Sequence, residues 1–171
     1  MNKFMCRRYL LFCVSLFVNA LGIAFITKAA LGTSPITSVT YVLSMFTPFT
    51  IGQWTILLNL LFVILELFLM TREDLKSDLR MYLLQIPISF CFGMFIDLCM
   101  HYILFWLNPV EYVYMIVALL IGCVILAVGI ALEVKANAAM MAGEYFVKVI
   151  TRRFRGEFGY IKLGFDVTLV A

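Results

Sequence analysis

Apolar residues run through this chain in long blocks separated by short polar or basic stretches. Four blocks, 9–26, 51–70, 81–107 and 112–132, match the ~20 apolar residues a helix needs to cross roughly 30 Å of hydrocarbon. A fifth starts near Phe158 and is still apolar at Ala171, which is too short for a crossing. The pattern therefore predicts that the chain stops inside a membrane helix and that a complete protein continues into a sixth. Two shorter segments, 33–46 and 140–154, fall between the first and second blocks and between the fourth and fifth. At about 1.5 Å per residue, each would make a helix only about 20 Å long, so neither is expected to cross.

The pattern repeats. Shifted by 107 positions, Ala20, Gly22, Ile23, Ala24, Lys28, Ala29, Val42 and Gly52 fall without a gap on Ala127, Gly129, Ile130, Ala131, Lys135, Ala136, Val149 and Gly159, and Asn59 falls on Asp166. Duplicated membrane halves are a common way to build a transporter with two alternating states. The expected organisation is a first membrane repeat over 1–107 and an incomplete second over 108–171. Gly32, Pro35, Gly52, Gly143 and Gly159 read as turn positions, with Ser34 as a helix cap, Pro35 in the first turn and Asn137 as the turn residue of the second copy.

Composition agrees with the blocks. The chain is 64% hydrophobic and 13% charged, with 16 Phe and 10 Met among 171 residues, and its mean hydropathy is +1.05. A soluble domain is nearer half apolar and a quarter charged, so a polytopic all-α membrane protein is expected. The first block is too long for a cleavable signal and lacks a small-residue cleavage site, so it reads as a signal anchor. The five cysteines, Cys6, Cys13, Cys91, Cys99 and Cys123, show no CxxC spacing and read as buried small apolar residues.

Charge sets the expected orientation. Lys3, Arg7 and Arg8 precede the first block; Arg72, Lys76 and Arg80 lie in the expected loop 71–80; Lys135, Lys148, Arg152, Arg153 and Arg155 follow the fourth block. The stretch 108–111 has no Lys or Arg, and 27–52 has only Lys28. Placing basic segments in the cytoplasm gives a cytoplasmic N-terminus and three crossings per half. An odd number of crossings inverts the second half relative to the first. The short segments would then lie toward opposite sides, either flat in the interface or as re-entrant half-helices.

Ionisable groups inside such spans are costly and tend to mark function or pairing. Lys28 and Lys135 end the first helix of each copy, where snorkelling to headgroups is the ordinary role. Glu144, Lys148, Arg152 and Arg155 share one face of the second short segment. Lys162 and Asp166 stand at i, i+4, the spacing of an internal ion pair or of a site, with Asn59 the untitratable mate of Asp166. Asp97 and His101 form another i, i+4 pair that could titrate, although a lone His at a helix end is usually interfacial. Glu133 could pair with Lys162 or an N-terminal arginine, and Glu66 and Gln85 are weaker candidates. The expected substrate or ion pathway thus draws on Lys28, Asn59, Asp97, Lys135, Glu144, Lys148, Lys162 and Asp166.

The chain carries no HExxH, GxSxG, P-loop or CxxC signature, so neither an enzyme nor a cofactor or metal is expected. Its +3 net charge is ordinary positive-inside bias and carries no nucleic-acid stripe. Residues 21–35, with Gly32, Thr33, Ser34 and Pro35, then Ile51-Gly-Gln-Trp54 and Gly93-Met-Phe-Ile-Asp97, resemble landmarks of the bacterial YczE/YyaS/YitT-type integral membrane proteins; Gly143-Glu144, Phe158-Gly159 and Phe165-Asp166 resemble those of the second half. The first turn departs from that group's pattern in lacking an acid. The resemblance implies a cytoplasmic-membrane protein of roughly two hundred residues, with export or transport the usual assignment. The expectation is a small secondary transporter embedded in the lipid bilayer and acting on a small molecule or ion. A non-transporting accessory protein that helps assemble or regulate another membrane system is the alternative.

Overall fold

The structure is a computed structural model that describes residues 3–70, 72–107, 109–136, 139–154 and 156–170, with no side-chain account of 3–6, 72–78 and 80. Asn137 and Arg155 lie outside the described residues, as do the side chains of Lys3, Cys6, Arg72, Lys76 and Arg80. The described residues form seven α-helices and no strand: α1 Lys3–Lys28, α2 Pro35–Phe46, α3 Ile51–Leu69, α4 Arg72–Leu98, α5 Tyr112–Ala136, α6 Ala142–Phe154 and α7 Phe158–Val170. A single π-helical turn, Cys99–Ile103, prolongs α4. Four stretches are long and apolar enough to cross a membrane: Arg7–Lys28, Ile51–Leu69, Met81–Ile103 and Tyr112–Ala136. This is a multi-pass, all-helical membrane protein.

The short helices have local causes. Ser34 caps α2 by accepting from the Thr37 backbone N–H at 3.4 Å, and Pro35 occupies its first position, where a missing N–H is no loss. Thr47 ends it, donating its hydroxyl to Leu43 O at 2.7 Å just before Pro48. A reciprocal capping box then starts α3: Gln53 N–H donates to Thr50 Oγ1, and Thr50 N–H to Gln53 Oε1, each at 3.1 Å. Between α1 and α2, Ala30 at φ 55° and Gly32 at φ 155° reverse the chain, the latter a conformation that favours glycine.

Three other expected turn glycines sit elsewhere. Gly52, Gly143 and Gly159 are each the second residue of a helix. Gly52 and Gly143 serve close packing: a Cβ on Gly52 would run into Gly93 O and the Asp97 carboxyl, and one on Gly143 would lie 2.8 Å from Ile36 Cδ1. A Cβ on Gly159 would meet nothing. The expected loop 71–80 is also helical, since α4 begins at Arg72. Its charges do not break the helix, because Arg, Glu and Lys are good helix formers. Of the described cysteines only Cys99 is buried; Cys13, Cys91 and Cys123 are exposed free thiols on helix surfaces, and a small apolar side chain is as compatible with lipid as with a core.

The principal contact joins α1 to α5. As α1 advances from Arg8 through Asn19 and Gly22 to Ile26, its partners on α5 retreat from Ala136 through Gly129 and Leu126 to Gly122, so the helices run antiparallel. A Cβ on Gly22 would lie 2.8 Å from Leu126 N, and one on Gly129 would collide with Asn19. Gly129 and Leu126 are the residues 107 positions after Gly22 and Asn19. Without a hydrophobic drive between helices in lipid, such close approach of small residues supplies the packing. Phe12, Leu16, Ala20 and Ala24, spaced four apart on α1, bury into a core completed by Phe92 and Ile96 of α4. A second core joins α3 to α6 and α7, where the Phe62 and Phe146 rings stack at 5.3 Å and Phe165 lies edge-on to Phe62 at 5.5 Å. α2 packs against α3 and α7, and α6 against α3 and α7.

Gly22→Ala and Gly129→Ala are expected to destabilise the protein by about 1–3 kcal/mol each through overpacking. Gly164→Ala, at a helical glycine with open space around it, should be neutral or stabilise by up to about 1 kcal/mol. Thermal unfolding in detergent measures all three.

Candidate functional site

Polar side chains gather at two places. At the start of α3, the Asp97 carboxylate accepts the Thr50 hydroxyl at 2.6 Å and the Gly52 backbone N–H at 2.9 Å. It lies against the positive end of α3 and satisfies one of that helix's free N–H groups. The expected Asp97–His101 titrating pair is therefore replaced by a helix cap. The approach of α3 to α4 at Gly52 and Gly93 carries Asp97 to the cap. His101 is exposed on the π turn and shares with Asp97 the wall of an open cavity of about 330 Å³.

The second gathering lies where α1 packs on α5, beside a cavity that α5 shares with α6. Asn19, 1% exposed, donates its side-chain N–H to Glu133 Oε2 at 2.9 Å across 114 residues of chain. Glu133, 6% exposed, keeps its other oxygen buried without a partner, as does Asn19 Oδ1. Glu133 thus pairs with an amide on α1, and not with Lys162 or an N-terminal arginine. Arg8 Nε, nearer the N-terminus of α1, donates to Ala136 O at 3.0 Å, covering a carbonyl at the end of α5. Glu133 also lines a cavity of about 170 Å³ with Ala139, Met140, Glu144 and Lys148. Glu144 stands in the first turn of α6, where a carboxylate suits the helix dipole. Burial pushes the Glu144 carboxyl above the ordinary carboxylate value, and the Lys162 ammonium opposes that shift.

Beyond Glu144, Lys162 and Asp166 form the expected ion pair at 2.7 Å, both partly exposed on α7, with the Lys162 ammonium 5.6 Å from the Phe165 ring. Lys148 lies 5.9 Å from the Tyr145 ring and 3.8 Å from Met140 Sδ. Of the expected pathway residues, Glu144 and Lys148 share the cavity wall, and Lys162, which Asp166 pairs, is near enough to act electrostatically on Glu144. Asn59 is buried in α3, Lys28 is half-buried at the end of α1, and Lys135 is exposed on α5; none of these three lines the cavity.

Asn19 is absent from the residues the sequence singles out, because one amide in an apolar helix carries no spacing signal. Its partner is found only once α1 and α5 are seen to run antiparallel. A further polar pair is buried between α3 and α4. Glu66 is fully buried with neither carboxyl oxygen bonded, and nearby Gln85 has both side-chain polar atoms unpartnered.

Among protein families, the model of one described as a family of unknown function (DUF6198) matches residues 6–171. No curated protein matches the chain, and no solved structure does.

Asp97→Ala should cost about 1–3 kcal/mol, since it removes two hydrogen bonds to a charged acceptor and frees a helix N-terminus. Asp97→Asn, which keeps an acceptor but not the charge, should cost about half as much. Thermal unfolding in low salt reads the difference.

Proposed function

The chain belongs to DUF6198, a family of unknown function, and we propose that it is a small secondary transporter of the cytoplasmic membrane, built from two halves of inverted topology. The observation that carries this reading is the meeting of the two short helices at their N-termini. Gly143, second in α6, packs on Ile36, second in α2, and the two positions are 107 apart. α2 and α6 have 12 and 13 residues, about half the length needed to cross. Broken or half-length helices that start where two repeats meet are a recurring construction of substrate sites in transporters.

Other contacts support the same reading. α2 and α6 start at residues 35 and 142, and α3 and α7 at 51 and 158, in both cases 107 apart. The packing of α3 on α6 exchanges with that of α7 on α2 under the same offset. The first helices of the two halves, α1 and α5, are antiparallel. Basic residues in the first turns of α1, at the end of α5 and along α6 favour a cytoplasmic N-terminus and a cytoplasmic end of α5 by the positive-inside rule. On this reading α2 and α6 are re-entrant half-helices.

The solute path runs past the start of α6, where Glu144 is the central group, Lys148 and Lys162 flank it, and Asp166 holds Lys162. Ser34 caps α2 and Glu144 serves the first turn of α6, so both helix N-termini already have partners within the chain. The carboxylates facing the cavity favour a proton or a cationic group over an anion. Lys28 and Lys135 anchor the ends of the equivalent helices.

Glu144→Gln should abolish solute flux while leaving membrane insertion and thermal stability close to wild type, whereas Lys135→Ala should reduce flux less. The solute is first found by screening thermal stabilisation of the full-length protein with amines, amino acids and drugs. Unchanged flux in Glu144→Gln vesicles would refute this site.

A further inference from the structure

Asn19 and Glu133 make one hydrogen bond and leave one bare oxygen each. The amide N–H goes to Glu133 Oε2 at 2.9 Å, while Asn19 Oδ1 and Glu133 Oε1 are buried with no partner. An ionised carboxylate only accepts, so it can answer the amide N–H but never the amide oxygen. A carboxylic acid can do both, pairing with a carboxamide through two bonds that run in opposite senses. A single proton is the smallest ligand that satisfies both oxygens at once, and leaving them bare costs about 1–3 kcal/mol for each buried group.

We propose that Glu133, held by Asn19, is a proton-binding site that opens on the cavity at the start of α6. A proton delivered by water forms the Oε1–H bond of Glu133, which donates to Asn19 Oδ1. Release returns the proton to water in the cavity and the carboxyl to its charged form. At about 170 Å³ the cavity has room for several waters, and Glu144 on its wall is the next acceptor. The charged groups around Glu133 come from every neighbouring element. They are Arg8 of α1 on the Ala136 carbonyl, Lys135 of α5 on the exposed face, Glu144 and Lys148 of α6 on the cavity wall, and Lys162 of α7 paired with Asp166; α4 contributes the apolar Met81. A metal ion would need several more oxygen ligands than the two bare ones here, whereas a proton needs only one oxygen to bind and one to accept.

The site also couples to the packing of the two halves. Asn19 lies against Gly129 at the close approach of α1 and α5, so gaining or losing a proton makes or breaks a bond in that seam. Its role as the coupling ion of transport rests on the transporter reading. The proton site itself rests on the seam alone, and the test reads the proton without any flux.

The test is pH-difference infrared spectroscopy of the full-length protein in lipid nanodiscs, following the carboxylic-acid C=O stretch. Wild type should show an acid band that Glu133→Gln removes. Asn19→Leu, which keeps the volume beside Gly129, should move the same band to higher frequency as the acid loses its amide partner. Glu144→Gln should leave the band present, and Glu66→Gln should leave its response to Asn19→Leu unchanged. An identical acid band in Glu133→Gln and wild type would overturn the proposal. So would loss of the band on adding sodium at fixed pH, with choline as the control, because the site would then hold a metal ion. If Glu133→Gln fails to fold, the Asn19→Leu shift decides alone: a band at the wild-type frequency refutes the pairing.

Discussion

Much of this structure depends on how closely the backbones of α1 and α5 approach. At Gly22 and Gly129 neither helix could carry even a methyl group without displacing its neighbour. Lipid tails are as apolar as leucine, so long apolar side chains would have no reason to leave them, and association must come from fit and from polar contacts. The antiparallel sense of the seam governs the contacts beyond it. It brings Asn19 to Glu133 and sets Arg8 at the end of α5.

Polar groups within the helices fall into two sets. Asp97, Thr50, Lys162 and Asp166 are answered: a carboxylate by a hydroxyl and a helix N-terminus, and an ammonium by a carboxylate one turn away. Such pairs hold helices in register, and the cap ties α3 to α4. Asn19, Thr27, Glu133, Glu66 and Gln85 are buried with atoms unanswered. Buried polar groups are nearly always hydrogen-bonded, so each exception calls for a physical reason. Asn19 and Glu133 lie in the seam of α1 with α5, and Glu66 and Gln85 between α3 and α4, where a change of packing would be felt most widely, and Glu133 also reaches the cavity.

The sequence carries much of this, unevenly. Block lengths mark the four spans, and Ser34 with Pro35, then Thr47 with Pro48, mark both ends of α2. Matched residues 107 apart anticipate helices that start at equivalent positions. What is not legible depends on contacts between distant segments. Asp97 reads as a partner of His101 because the two are one turn apart, whereas its true partners lie 45 and 47 residues away. Glycines at helix starts read as turns because their conformational freedom is a local property, while the close packing that uses Gly52 and Gly143 is set by a neighbour. Charges after α3 read as a loop, although a helix emerging into water tolerates them. The amphipathic pattern of α6 suits an interfacial helix, yet Tyr145, Val147 and Val149 are buried by packing that the pattern does not reveal.

The central claim is that α2 and α6 start against each other, with Ile36 on Gly143. Cysteine cross-linking in native membranes tests it most directly, with Ile36→Cys and Gly143→Cys combined in a chain freed of its own cysteines. The account predicts rapid closure of that pair by a short bis-thiol cross-linker, because the Ile36 side chain packs directly on Gly143. A pairing of Ile36→Cys with Gly159→Cys, at the start of α7, should stay open. Absence of closure in the first pair, or equal closure in both, would contradict the account.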